Sequence, residues 1–563
     1  MDQKKRHLTT SRAALECVRK VLFRVTWLLS ISLCLLAACY RPQTSYEPWK
    51  VPGSGETAIL NTPQAPFAAT PTPTPGLSLL PGEPSPTPDP KQLANTEEPL
   101  MTAVANISLT PAPLSAWPTP GTPVELPPLR AETISYTIRS GDTLAKIALN
   151  HQVSVRQILD FNQIQDPNLI QPDQVLVIPP ASANELATNF KIVPDSEVFY
   201  SPSAADFDTA SVIQQFNGYL NTYMQNIEDG RFLTGAQAVQ EVADNFSINP
   251  RLLLALIEYR NGWMTYQNTK PLYHTYALGW TDPHRSGLYE QLGWAANEIT
   301  RGYTMWENRQ LSVWTLADGT VMRIDPTINA GTAGLQYLFS LLYGTQEWKQ
   351  AVSEQGFFAT YQRMFGYPFA FSIDPLVPEG LVQPEMQLPL EEGDVWFLTG
   401  GPHWGWGTGS AWAALDFGPP GRETDYGCFE SRTPVTAAAD GLVVRSGNGA
   451  VVLDLDGDGS EQTGWTLLYM HIATEGRVKA GSAVKAGDFI GYPSCEGGVS
   501  NGTHFHIARR YNGVWIAADG AIPFNLEGWI ASSTGNVYDG YLTKDGISVE
   551  AYNGRSSINE ISR

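Results

Sequence analysis

Four short stretches near the C-terminus decide how the chain reads: Gly401-Pro402-His403, Ser410-Ala411-Trp412-Ala413-Ala414-Leu415-Asp416, Leu468-Tyr469-Met470-His471 and Gly502-Thr503-His504-Phe505-His506. The protein has 8 histidines, and half of them lie in these stretches. His504 and His506 are one residue apart. In a β-strand, positions i and i+2 point to the same face, so both imidazoles are expected to address one pocket. With His403, His471 and Asp416 they make a plausible three-ligand metal site accompanied by two further bases. Zinc favours tetrahedral N/O/S coordination and, where it is catalytic, keeps one position open. His403, Asp416 and His506 supply two imidazoles and a carboxylate of that kind.

The sequence around these stretches changes to short β-type runs separated by Gly-rich turns. Examples are Gly441-Leu442-Val443-Val444, Ala450-Val451-Val452-Leu453 and Thr466-Leu467-Leu468-Tyr469. Such spacing predicts an antiparallel β domain over residues 386–545, with 546–563 as a C-terminal tail. The histidine and aspartate set resembles the lysostaphin/LytM-type zinc endopeptidases of bacterial cell walls. Many members space the first ligand pair as His-x-x-x-Asp. Here Trp412 holds that position, and His403 lies 13 residues before Asp416 in a Gly- and Trp-rich loop, which is similar to the β-lytic branch. The resemblance implies Zn²⁺ on His403, Asp416 and His506. It implies that His471 and His504 are catalytic, taking a proton from the attacking water and stabilising the tetrahedral oxyanion. A His-Glu-x-x-His helix is absent, which excludes the thermolysin pattern. Trp404, Trp406 and Trp412 either stack on substrate or pack, and Trp404 is taken as the candidate substrate contact. Asp454-Leu455-Asp456-Gly457-Asp458-Gly459 looks like the start of a calcium loop, but its twelfth position is Trp465 rather than Glu, so a hairpin turn is the preferred reading.

Length and composition frame the rest. With 563 residues the chain is expected to hold several domains. A net charge of −20 argues against nucleic acid as a partner. Residues 1–39 carry a basic start and an apolar run over 25–38 that is short for a membrane span. The run ends in Leu36-Ala37-Ala38-Cys39, which resembles a bacterial lipobox. That implies a lipoprotein signal peptide, lipidation of Cys39 and an exported protein anchored to the membrane. In such a compartment Cys428 and Cys495 form a disulfide candidate, the alternative being two free buried thiols. Residues 40–131 are rich in Pro and Thr and read as an extended, disordered tether of ~3 Å per residue.

Residues 132–180 are expected to fold as a small α+β unit in the order βααβ. A strand at Tyr136-Thr137-Ile138 leads into a capped turn at Ser140-Gly141-Asp142-Thr143-Leu144, two helices follow, and Val175-Leu176-Val177-Ile178 closes. This order and these residues resemble a LysM module. The resemblance implies binding to N-acetylglucosamine-containing glycan, with Gly141, Asp142 and Thr143 as candidate contacts. Asp173 departs from it, standing where the family commonly has Gly.

Residues 200–382 are predicted to be mainly α-helical. Asn249-Pro250 caps an apolar helix. The run Ile248-Asn249-Pro250-Arg251-Leu252-Leu253-Leu254-Ala255-Leu256-Ile257 resembles the start of the lysozyme-like lytic transglycosylase domain. The acid of that family falls at Arg260-Asn261, and Glu258 is two residues early, about 200° around the helix. Glycan cleavage needs a positioned acid, so the domain is expected to be degenerate, binding glycan or acting as a spacer.

The expected whole is a multidomain, lipid-anchored peptidoglycan-binding protein. A zinc metalloendopeptidase would cut peptide bonds of stem peptides or cross-bridges. The alternatives are a non-catalytic cell-wall scaffold and a glycan-cleaving enzyme working through the middle domain.

Overall fold

The structure is a computed structural model that describes residues 49–50, 57–58, 121–183, 185–422 and 425–563. The expected signal segment 1–39 with Cys39 lies outside the described residues. So does the tether up to residue 120, apart from a ladder pairing Trp49 with Ala58 and Lys50 with Thr57. Among the described residues no helix is long and apolar enough to cross a membrane.

The βααβ unit is built as its residues predict. Strands Ile134–Thr137 and Val175–Ile178 pair antiparallel around helices Leu144–Asn150 and Val155–Asn162. Thr143 caps the first helix by accepting from Lys146 N, and Ser154 forms a capping box with Gln157 on the second. Asn162 extends the sheet with its side chain, exchanging two 2.7 Å hydrogen bonds with the backbone of Val177. Asp173 adopts φ +69°, a left-handed conformation that favours glycine and that aspartate tolerates better than most residues. That accounts for the Gly otherwise expected there.

Two expected boundaries move. The tether does not run free to 131: Gly121 N and Val124 N donate to Thr327 O and Pro326 O at 2.8 and 2.9 Å. Val124 and Leu126 are half-buried against the helical domain, so the apolar residues at the end of the Pro-rich stretch dock there. Residues 546–563 are not a tail. Strand Ile547–Glu550 pairs with Gly540–Lys544, and Glu560–Ser562 pairs with Val395–His403 as the edge strand of the large sheet. The isolated apolar residues Val549 and Ile561, both buried, carry this pairing.

The middle segment is helical, led by Gly235–Phe246, Pro250–Asn261, Leu288–Glu307 and Ala330–Leu342. Glu258 does not present its carboxylate to a cleft. It closes the end of its own helix, accepting from Met264 N, Thr265 N and Thr265 Oγ1 at 3.1, 3.3 and 2.7 Å. Arg260 and Asn261, at the transglycosylase acid position, hold the carbonyls of Leu278 and Ala277.

The C-terminal domain centres on a nine-stranded sheet. Strands Gly441–Gly447, Ala450–Asp454, Trp465–Met470, Phe505–Tyr511, Ala414–Gly418 and Val395–His403 follow one another across it, all antiparallel. The Asp454 loop is the connection between two of these strands. Asp454 accepts from the N–H groups of Asp456, Gly457 and Gly459, as a turn requires.

The sheet is buried on both faces, which explains its unbroken apolar runs. Val451, Leu453, Leu467, Tyr469, Phe505 and Ile507 point into the domain's own core. Ala414, Ala450, Val452, Leu468, Met470 and Ala508 point the other way and share one core with the helical domain. The alanines let the helices approach closely. The helical segment therefore packs as a second layer on the β sheet.

Charge is also buried at this interface. Arg445 donates to Glu461 at 2.9 and 3.0 Å and to Asn245 of the helical domain at 2.8 Å, and Arg510 reaches Glu461 at 2.6 Å. Burial, and then the Glu461 carboxylate, push the neighbouring Asp244 up from 3.8 to about 7. Its carboxyl takes up a proton on folding, so its contribution to stability is full below pH 3.8 and is lost as the pH rises through about 7. Asp244→Asn should therefore gain thermal stability relative to the parent as pH increases across that window. Parallel melting-temperature curves for the two proteins from pH 4 to 8 would sink this assignment.

Candidate metal centre

Each proposed ligand is delivered by a different strand of the sheet. His403 ends Val395–His403, a strand displaced by two register shifts along its pairing with Ala414–Gly418. Asp416 lies in the middle of Ala414–Gly418 and faces His506 directly across the ladder. All three are buried. Gly400 opposes Asp416, and a Cβ there would lie 2.7 Å from Asp416 Oδ2, so only glycine leaves room for the carboxylate.

The side chains converge. His403 Nε2 and His506 Nδ1 are 3.0 Å apart, and each is 3.2 Å from Asp416 Oδ1. The protons are fixed by carbonyls, which can only accept. His403 Nδ1 donates to Gly401 O at 2.8 Å and His506 Nε2 donates to Gly405 O at 3.2 Å. In the neutral rings His403 Nε2 and His506 Nδ1 therefore carry the lone pairs. Asp416 Oδ1 receives no hydrogen bond. Three buried lone pairs facing one another are an arrangement that a cation between them would satisfy. Ligand atoms about 2.0–2.1 Å from a tetrahedral zinc are about 3.3 Å apart, so the residues fit that ion. Among the described residues two groups have ligand atoms clustered tightly enough to hold one: buried His403, Asp416 and His506, and Asp454, Asp456 and Asp458, of which the last two are exposed.

Two more imidazoles adjoin. His504 Nε2 is 3.8 Å from Asp416 Oδ2, and the His471 and His504 rings are 4.4 Å apart. Both donate from Nδ1 to carbonyls, His504 to Gly502 at 2.8 Å and His471 to Glu496 at 3.1 Å, which leaves Nε2 of each as the basic nitrogen. His504 and His506 both lie against the Asp416 carboxylate, at 3.8 and 3.2 Å. Burial tends to raise the Asp416 carboxyl, but the neighbouring His403 and His504 hold it well below the usual carboxylate range. Burial, and then the neighbouring His504 and His506, hold the His471 imidazole well below its ordinary value, so it is a neutral base at neutral pH.

Some site features were not anticipated. Tyr538, from the loop before Gly540–Lys544, stacks on His403 with ring centres 4.3 Å apart. Its sequence surroundings carry no signal beyond Gly-rich turns. Trp404, expected to meet substrate, is instead buried and packs edge-on against Tyr538 at 6.3 Å. Trp406 packs on Phe246 of the helical domain. In the βααβ unit, Asp142 accepts from Tyr136 Oη and Arg139 N at 2.7 and 2.9 Å, while Gly141 and Thr143 are exposed. Cys428 and Cys495 are joined in a disulfide beside the His471 and His504 loops.

Two neutral imidazoles and a carboxylate converging on an antiparallel sheet, with two basic imidazoles alongside, define the class of site: a candidate mononuclear metal centre of hydrolytic type. Comparison with known families gives the chain's components. Residues 136–179 match the model of the LysM domain, 191–376 that of the LasA N-terminal domain and 424–518 that of peptidase family M23. The M23 match contains His471, His504 and His506 and begins after His403 and Asp416. Protease LasA of Pseudomonas aeruginosa is 27% identical over 299 residues, spanning 49% of this chain and 66% of that protein. The chain thus covers slightly less than two thirds of that relative's length. The N-acetylmuramoyl-L-alanine amidase XlyA of Bacillus subtilis is 45% identical over 51 residues, 9% of this chain and 17% of that protein. Among solved structures, the M23 metalloprotease pseudoalterin from the deep sea is 22% identical with a TM-score of 0.26, covering 32% of this chain and 100% of that one. The catalytic domain of lysostaphin from Staphylococcus simulans is 27% identical with a TM-score of 0.16, covering 22% of this chain and 87% of that one.

Proposed function

We propose that the protein is a cell-wall metalloendopeptidase that holds zinc on His403, Asp416 and His506 and hydrolyses peptide bonds in peptidoglycan. The observation that carries this reading is the convergence of three buried lone pairs beside two further basic imidazoles. Zinc bound there supplies Lewis acidity, polarising a carbonyl and lowering the pKa of water toward neutrality. The chain's own groups do the rest. His504 Nε2 or His471 Nε2 takes the proton of the attacking water, and the imidazolium so formed donates to the developing oxyanion or to the leaving amine. Their Nδ1–H bonds to Gly502 O and Glu496 O keep both rings in the tautomer that this work needs. Tyr538 holds the plane of His403.

In the same reading the LysM domain binds the glycan and keeps the peptidase near its substrate. The N-terminal segment exports the chain, and Cys39 anchors it to the membrane by lipid. The working divisions are 1–39, a tether ending near 120, 132–180, a helical layer over 191–376 and a catalytic domain over 386–563.

The full chain incubated with purified peptidoglycan is expected to release free amino groups. A chelator should abolish that release, zinc should restore it, and His504→Ala should lack it throughout. Release of sugar reducing ends in place of amino groups would move the activity to the helical domain. Zinc retention with no bond cleaved would make the protein a scaffold.

A further inference from the structure

The loop between His403 and the Asp416 strand is gripped by the helical domain. It is a tight structure: Gly405 N donates to Ala411 O and Trp406 N to Ser410 Oγ, each at 3.1 Å. Its tip lies against helix Leu288–Glu307. There Asn297, buried at 1% exposure, accepts from Thr408 N and Gly409 N at 2.8 and 3.0 Å through one side-chain oxygen. Arg301, one turn on, donates to Thr408 Oγ1 at 2.9 Å. Two glycines make the fit possible. A Cβ on Gly409 would lie 2.0 Å from Asn297 O, and one on Gly407, whose φ is +61°, would lie 2.4 Å from Asn297 Oδ1.

This loop bears on the metal centre directly. Gly405 O accepts the Nε2 proton of His506. His506 can offer Nδ1 as a ligand atom only while its proton stays on Nε2, and the Gly405 carbonyl is what holds it there. We propose that Asn297 is a positioning residue of the metal centre, fixing the 405–410 loop so that Gly405 sets the tautomer and ring plane of His506. The inference rests on the metal-centre reading above. It makes the helical domain a working part of the site and assigns a reason for a buried asparagine in mid-helix, where asparagine is otherwise a poor choice.

The test uses the full chain with Asn297→Leu, which keeps the size and removes the acceptor, and Asn297→Asp, which keeps an acceptor oxygen. Zinc affinity is read by competition with a chromophoric chelator, and ligand geometry by the visible absorption of the Co²⁺-loaded protein. Outer partners of metal ligands are typically worth 10–100-fold in affinity, and Asn297 acts one step further out, so N297L should lose about tenfold. Its cobalt bands should shift, and N297D should restore both readouts toward the parent. Should N297L fail to fold, Arg301→Gln removes the bond to Thr408 and should move both readouts in the same direction by less. A folded N297L or, in its place, R301Q with parental affinity and parental cobalt bands overturns the inference while leaving the metal centre standing. A parent protein that takes up no zinc overturns the metal-centre reading itself, and with it this inference.

Discussion

His506→Ala should lower peptide-bond hydrolysis on the order of 10³-fold and strip zinc from the purified chain. The ring sits between Asp416 Oδ1, 3.2 Å away, and His403 Nε2, 3.0 Å away. Its removal leaves one imidazole and one carboxylate, too few to hold zinc against water. Losing several kcal/mol of Lewis-acid stabilisation corresponds to roughly three powers of ten in rate. The matching experiment is His504→Ala. Its Nε2 lies 3.8 Å from Asp416 Oδ2, outside the ligand cluster. That variant should keep its zinc and lose about 10²- to 10⁴-fold in rate, the range of a general acid or base. Metal content after gel filtration and amino-group release from peptidoglycan, taken together, separate the two roles. A zinc-replete H506A, or a zinc-free H504A with intact fold, would reverse the assignment of the His-x-His pair.

The convergence of His403, Asp416, His471, His504 and His506 was legible because histidines are few in this chain and because the resemblance implied which aspartate and which distant histidine join the His-x-His pair. The i, i+2 pair fixed its own shared face once a strand was granted. What supports them was not legible. Gly401, Gly405, Gly502 and Glu496 act through backbone carbonyls, and a carbonyl is the same for every residue type. Tyr538 arrives from more than 30 residues beyond His506 through a loop whose path only the folded chain defines.

The fold divided in the same way. Capping residues, and short β-type runs between Gly-rich turns, pointed to the βααβ unit and to the antiparallel β domain. The runs Ala450-Val451-Val452-Leu453 and Thr466-Leu467-Leu468-Tyr469 do not alternate as a half-exposed strand would, and the structure shows why: the helices cover the second face of the sheet. The final strands were missed because Ile547–Glu550 and Glu560–Ser562 are short edge segments, each with one buried apolar residue, too little periodicity to separate strand from tail.

The disulfide yields the other large expected effect. Cys428→Ser with Cys495→Ser opens a covalent loop of 67 residues. The entropy of closing a loop of that length corresponds to about 4 kcal/mol of stability. For a domain of this size that is a fall in melting temperature of roughly 10 °C. The bridge also bears on chemistry. Cys495 adjoins Glu496, whose carbonyl accepts the His471 Nδ1 proton and whose carboxylate accepts from Thr474 N and Oγ1 at 2.8 and 2.5 Å. On the other side Gly427 O accepts from Thr503 N at 3.0 Å, and Phe429 N donates to Thr503 Oγ1 at 2.7 Å, immediately before His504. The bridge therefore ties together the two loops that aim the proton-handling histidines, and it touches none of the three ligands. The double variant should lose rate at temperatures where it remains folded, yet keep its zinc. A reductant should impose the same loss on the parent and nothing further on the variant. If thermal scans superimpose, the bridge is not a constraint on the domain. If zinc leaves together with the rate, the loops act on the ligands rather than on His471 and His504.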